Sequence, residues 1–253
     1  MTDISIEDFF IEANSVTSIK EENYRELDLV LRAVDSFSRS TYQSVYVIDY
    51  FKKGFLYVSD NPLFLCGYTP QKMLELGYSF YISNVPKEEQ VMLKEINKSG
   101  FNFFNRFPVR ERRRCIISYD FHILYGRHST LINHKITPLV MTEDGRMWLG
   151  LCVVSLSSHS SAGHIEFRIY GDNRIWDYSQ LSHKWKERGE IVLTPEEREV
   201  LVLSAQGLNR DEIANHMCKS VDSIKFYRRN LFDKLGVKNI TEALSYVTNH
   251  GLL

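Results

Sequence analysis

In the run KSVDSIKFYRRNLFDKLGV, Lys219 to Val237, the residue types suited to chemistry alternate with residue types suited to a core. Ile224, Tyr227, Leu231 and Leu235 recur at the three- and four-residue spacing of a buried helical stripe. Lys225, Phe226 and Arg229 fall on the other side, with Arg228 at its edge. A helix anchored by the first set offers the second to solvent. Lysine and arginine donate to guanine O6 and N7, and an apolar side chain can meet a thymine methyl. Arg210, Lys219, Ser223 and Arg228 are types that fix register on phosphates. A solvated face on a helical bundle is the plain alternative.

The elements that would position such a face are marked by caps. Thr194, Pro195 and Glu197 form a capping box with proline at the first turn, and Gly207 supplies a left-handed stop. Asn209 with Glu212, Ser220, and Asn239 with Glu242 repeat the device, and Gly236 and Gly251 end helices. Four short helices are expected, over 195–206, 210–217, 221–235 and 240–249. A very short connection around Cys218–Ser220 joins the second to the third, which is the helix-turn-helix arrangement. Charge is polarised on the same scale. Lys219–Lys238 carries six basic and two acidic residues, whereas Glu190–Cys218 carries two basic and six acidic. The net charge of the whole chain is only -1, so a signal for nucleic acid is local.

LTPEEREVLVLSAQGLNRDEIANHMCKSVDSIKFYRRNLFDKLGVKNITEAL resembles the LuxR-type (GerE-type) helix-turn-helix domain. The matching marks are the LTxxExxVLxLxAxG opening, the EIA of the second helix, the S-x-x-S-I-K start of the third and the KLGVxNxxEA close. The resemblance implies base contacts by Lys225, Phe226 and Arg229 on double-stranded DNA. Tyr227 stands where that family commonly has histidine. It also implies a dimer contact through the last helix, with Ala243, Tyr246 and Val247 near one face, and so a homodimer, at least on DNA.

Upstream, Ser44–Asp49 and Gly54–Ser59 read as strands around a turn at Gly54. Short helices are expected at Leu63–Cys66 and Pro70–Leu76, and a longer one from Lys87 to Ser99 with Gly100 as its stop. Strands follow over Cys115–Leu124, Leu131–Met141 and Met147–Leu156, the last two joined by a hairpin turn at 143–145. That order predicts α+β architecture, with helices on one face of an antiparallel sheet. YVSDNPLFLCGYTPQKML resembles the corresponding stretch of PAS domains, with Gln71 or Lys72 where an acid is usual. The expected organisation is an N-terminal helical segment (1–41), a PAS-like sensor domain (42–158), a β-hairpin and linker (159–189) and an all-α four-helix LuxR-type domain (190–253). The hairpin turns at Gly171–Asn173, and 182–190 is the expected linker. In the N-terminal segment Ser18 and Glu21 read as a capping box, and Tyr24, Leu27, Leu31 and Val34 as a stripe packed on the sheet or used for dimerisation.

Other chemistry is excluded or weak. No phosphate-binding loop, nucleophile elbow or paired His/Glu metal motif occurs, so an enzyme is not expected. Asp120, His122 and His134 could approach one another as a metal site, but hydrogen-bonded polar residues are the default reading and no metal is assigned. The basic run at 111–114 reads as a solvated strand entrance. The alternating α/β pattern of a receiver domain is missing. No cofactor is expected: LGYSFYIS (76–83) lacks the cysteine of flavin-adduct PAS domains, and Lys87–Ser99 lacks a histidine for haem iron. The PAS-like interior, rich in Phe and Tyr, suits an uncoloured small molecule or a protein partner. Four scattered cysteines, an acidic start and the absence of a long apolar run point to the cytoplasm and away from membranes. The rival reading is a PAS-based interaction scaffold with a helical dimerisation module.

Overall fold

A computed structural model describes residues 4–41, 43–172 and 174–252. It divides the chain into two compact units, one holding residues up to Leu156 with Ser161–Arg188, the other Ser157–Ser160 with the residues from Gly189 onward.

The first unit is built on an antiparallel sheet of eight strands among the described residues, in the order β2-β1-β5-β4-β3-β6-β7-β8. The strands are β1 (Ser44–Asp49), β2 (Gly54–Val58), β3 (Cys115–Tyr125), β4 (His128–Met141), β5 (Met147–Leu156), β6 (Gly163–Ile169), β7 (Ile175–Ser179) and β8 (Lys184–Arg188). A short helix, α1 (Glu21–Arg25), and a longer one, α2 (Leu27–Thr41), precede them; α3 (Pro62–Leu65), α4 (Pro70–Leu76), α5 (Ser79–Asn84), α6 (Lys87–Phe104) and α7 (Val109–Arg112) lie between β2 and β3. This is the antiparallel sheet with helices that the pattern predicts, and no alternating α/β layer of the receiver kind is present among the described residues.

Several local expectations are corrected. Gly100 does not stop α6, which runs on to Phe104. A Cβ at Gly100 would lie 3.0 Å from the Ile117 side chain, so glycine serves the close approach of helix and sheet rather than a cap. The Ser18–Glu21 capping box does not form: α1 starts after Lys20 without a side-chain cap, and the helix breaks at Glu26. The stripe still packs as expected, Leu27 and Val34 meeting Val45, Val47, Trp148 and Leu149 on one face of the sheet. The stretch expected as linker contains β8, which pairs with β7 from Tyr178↔Trp185 to Ile175↔Arg188. The hairpin between β6 and β7 turns where expected, although Asn173 lies outside the described residues. Arg112, in the basic run, is a staple rather than a solvated charge. It donates to the carbonyls of Phe107 at 2.7 Å, Asn105 at 2.8 Å and Gly145 at 2.9 Å.

Asp120, His122 and His134 are not brought together. Asp120 pairs with Asn133 across β3 and β4, and Tyr119 with His134, so Asp120 and His134 lie on opposite faces of the sheet. Asp120 accepts from Asn133 at 2.8 Å, while His122 meets Glu89 through its backbone N–H at 2.6 Å and its Nδ1 at 2.7 Å.

His134 belongs to a buried aromatic interior. Its Nε2 is 2.6 Å from the Tyr46 hydroxyl, which also contacts that of Tyr81. Burial drives the His134 imidazole down to about 3, so the ring is neutral. A cavity of about 40 Å³ lies between the sheet and α6, lined by Tyr50, Tyr78, Tyr81, Tyr119 and Asn97 among others. It is closed by a segment that sequence reasoning passed over. Residues 6–14 form two 3-10 turns, and Phe9, only 3% exposed, packs into the aromatic cluster. Asn97 of α6 and Asn105, just past its end, donate to the carbonyls of Phe9 and Ala13 at 2.6 and 2.9 Å, and Arg146 donates to those of Glu12 and Ser15 at 2.9 Å each. Cys66, a buried thiol, ends α3 with a left-handed φ of 49°, and burial pushes it up to about 11.

The second unit is all helical: α8 (Pro195–Ala205), α9 (Arg210–His216), α10 (Val221–Leu235) and α11 (Ile240–His250).

Candidate nucleic-acid interface

Each helix of the second unit starts on the cap the sequence supplies. Thr194 Oγ1 accepts from the Glu197 N–H at 3.2 Å, and the Glu197 carboxylate accepts from the Thr194 N–H at 2.9 Å. Asn209 caps α9 through the N–H groups of Asp211 and Glu212, Ser220 caps α10 through Ser223, and Asn239 caps α11 through Glu242. Such caps are worth about 1 kcal/mol each and set where each helix begins. Between α9 and α10 the chain turns at Cys218, φ 52°, and the Lys219 N–H closes on the Ala214 carbonyl at 2.9 Å. The tight turn of a helix-turn-helix is therefore formed.

Two apolar clusters hold α10 in place. Ile224 packs with Val200, Leu203, Ile213 and Ala214, and Leu231 and Leu235 pack with Leu201, Ala243 and Val247. Tyr227 is half-buried against the first cluster, so the position where histidine is common is a packing position here. At about 100° per residue the opposite face carries Asp222, Lys225, Phe226 and Arg229 within an arc of about 100°. All four are exposed. The Arg229 guanidinium lies over the Phe226 ring, 5.6 Å from its centroid, which stiffens two long side chains against each other. Lys225 Nζ is 2.9 Å from Asp222 Oδ1, and that contact holds the Asp222 carboxyl below its usual range.

Flanking this face, Arg210, Lys225, Arg228 and Arg229, four cations against the one acid Asp233, line a concavity beside Phe232 and Val237. Partial burial and the neighbouring Arg210 guanidinium lower the Arg228 side chain from its ordinary value. Cations gathered this way favour an anion between them. Lys219 is exposed beside the turn, and Ser223 is engaged with the Ser220 cap. Lys234, which adds to the basic count in the sequence, is committed elsewhere: it reaches the buried Glu197 carboxylate at 2.7 Å.

The expected dimer residues are placed inside the unit. Ala243 and Val247 are fully buried and Tyr246 is 6% exposed, all three in the cluster that holds α8, α10 and α11 together. They are core residues and offer nothing to a second copy. The outward side of α11 carries Thr241, Ser245 and Thr248, with Leu244 at its edge, half-buried against the same cluster.

Residues 191–247 match the family model GerE, described as bacterial regulatory proteins, luxR family. The C-terminal unit is a LuxR-type domain. The response regulator protein VraR of Staphylococcus saprophyticus is 32% identical over 106 residues, covering 40% of this chain and 51% of that protein. VraR of Staphylococcus aureus is 32% identical over 76 residues, covering 29% and 36%. The chain thus spans about half, or less, of the length of these relatives. Among solved structures, the phage VqmA–DPO complex aligns over 91% of both chains at 15% identity with a TM-score of 0.35. The Vibrio cholerae VqmA dimer without target DNA aligns over 88% of both at 16% identity and 0.33. Scores that low fix neither the fold nor the function of the first unit. No helix among the described residues is long and apolar enough to cross a membrane.

Proposed function

We propose that this chain is a sequence-specific DNA-binding transcriptional regulator whose PAS-like unit responds to an uncoloured small molecule or a protein partner. The observation that carries the reading is the division of α10: Ile224, Leu231 and Leu235 are buried, while Lys225, Phe226 and Arg229 are presented together on the far side of a tight turn. In this reading those three side chains contact base edges in the major groove. Arg210, Lys219, Ser223 and Arg228 hold phosphates on either side. A homodimer on DNA would use the outward side of α11, and a two-fold protein would read a roughly palindromic site.

What supports sensing is the aromatic interior of the PAS-like unit, into which Phe9 of the N-terminal segment packs; at about 40 Å³ its cavity would have to widen, by movement of that segment, to admit a small molecule. The test is binding to a pool of random duplexes, followed by titration of the selected site against salt. Phosphate neutralisation releases counterions, so log K should fall linearly with log salt. The scaffold reading expects no selected site and no such slope, and that result would replace this proposal.

A further inference from the structure

We infer that Asp222 is a fourth base-reading residue, which accepts a hydrogen bond from an exocyclic amino group, cytosine N4 or adenine N6, beside the base contacted by Lys225. The inference rests on the DNA-binding reading above and adds an acidic reader to it.

The sequence pattern places three residues on the reading face, and the structure places four. Asp222 stands one turn before Lys225 and Phe226 and two turns before Arg229, in the middle of the arc opposite Ile224 and Leu231. It lies in the first turn of α10, the part of a recognition helix that reaches deepest into the groove. Its side chain is 87% exposed, so no packing role accounts for it. A carboxylate there does favour the helix N-terminus, but any first-turn position would serve that purpose, including ones turned away from the reading face. On a surface that must approach phosphates, an acid costs affinity unless something in the groove donates to it. The donors in the major groove are cytosine N4 and adenine N6. The contact to Lys225 at 2.9 Å sets the two side chains side by side, a donor to guanine O6 or N7 next to an acceptor for a neighbouring amine.

The experiment is site selection from random duplexes with the full-length wild type, Asp222→Ala and Asp222→Asn, with thermal unfolding of each to establish that it is folded. The wild-type site should contain one position fixed as cytosine or adenine, and its identity names the amine. Asp222→Ala should lose discrimination at that position alone, by about 5- to 150-fold, while binding random duplex more tightly because an acid has gone. Asp222→Asn, which can pair with adenine N6 and N7 together, should move the preference there toward adenine, or hold adenine where the wild type already has it. If Asp222→Ala returns the wild-type site with the same preference at every position, Asp222 reads nothing and the inference fails. If the wild type selects no site at all, the failure belongs to the DNA-binding reading.

Discussion

At the scale of single residues, the structure separates side chains that the sequence pools. Six basic residues between Lys219 and Lys238 look alike in a charge count, yet Lys234 holds a buried carboxylate while Lys225 and Arg229 stand free of the core. Alanine at Lys225 or Arg229 should therefore cost about 1–3 kcal/mol of specific affinity and relax preference at particular base pairs, measured by titration of the selected site and its single-base variants. Wild-type affinity in both variants would remove α10 as the recognition helix. His134 makes a second prediction. Its folded value is depressed to about 3, below the roughly 6.5 of an unfolded histidine. The unfolded chain therefore binds the extra proton first as pH falls, and the contribution is complete above about 6.5 and is lost progressively below it. Wild type should weaken relative to His134→Gln by up to about 1.4 kcal/mol per pH unit between about 6.5 and 4.5, read from denaturant unfolding at each pH. Equal slopes would mean that His134 protonates freely in the folded protein. Neither the neutral state of His134 nor its partner Tyr46 was legible in the sequence, because the two come together only across three strands of the sheet.

At the scale of elements, what was legible was local. The starts of α8, α9, α10 and α11 follow from side chains within three residues of each cap, so those boundaries can be read directly. β8 could not be read that way: KWKER carries four charges in five residues, and only its pairing with β7 makes it a strand. The last helix shows a different limit. Ala243, Tyr246 and Val247 recur at the spacing of a covered face, but periodicity reports that a face is covered and not by what. Val247→Glu should therefore destabilise the C-terminal unit by about 4 kcal/mol or more, seen in thermal unfolding, since it buries an unpaired carboxylate. Thr248→Glu, on the outward side, should stay within about 0.5 kcal/mol of wild type and still prevent two copies from sharing a DNA site, seen by sedimentation with the selected duplex. Normal melting with intact pairing on DNA would take the dimer contact away from α11.

At the scale of the whole molecule, the first unit encloses a cavity far smaller than the 300–1,000 Å³ typical of ligand pockets. Together with the lack of a cysteine in LGYSFYIS and of a histidine in Lys87–Ser99, this predicts that the purified protein absorbs only in the aromatic region. A flavin or haem band near one equivalent would overturn that expectation and make light, redox state or a gas the signal. The cavity's closure was not legible, because an acidic N-terminus gives no local sign that Phe9 is buried. It also orders the protein in time. Phe9 is held by Asn97, 88 residues downstream, and Ser15 by Arg146, 131 residues downstream. At about 5–20 residues per second, a ribosome has released this segment many seconds before its anchors exist. This early-made segment is thus fastened only after its anchors emerge, and a nascent chain passes through a stage in which its aromatic interior is still unroofed.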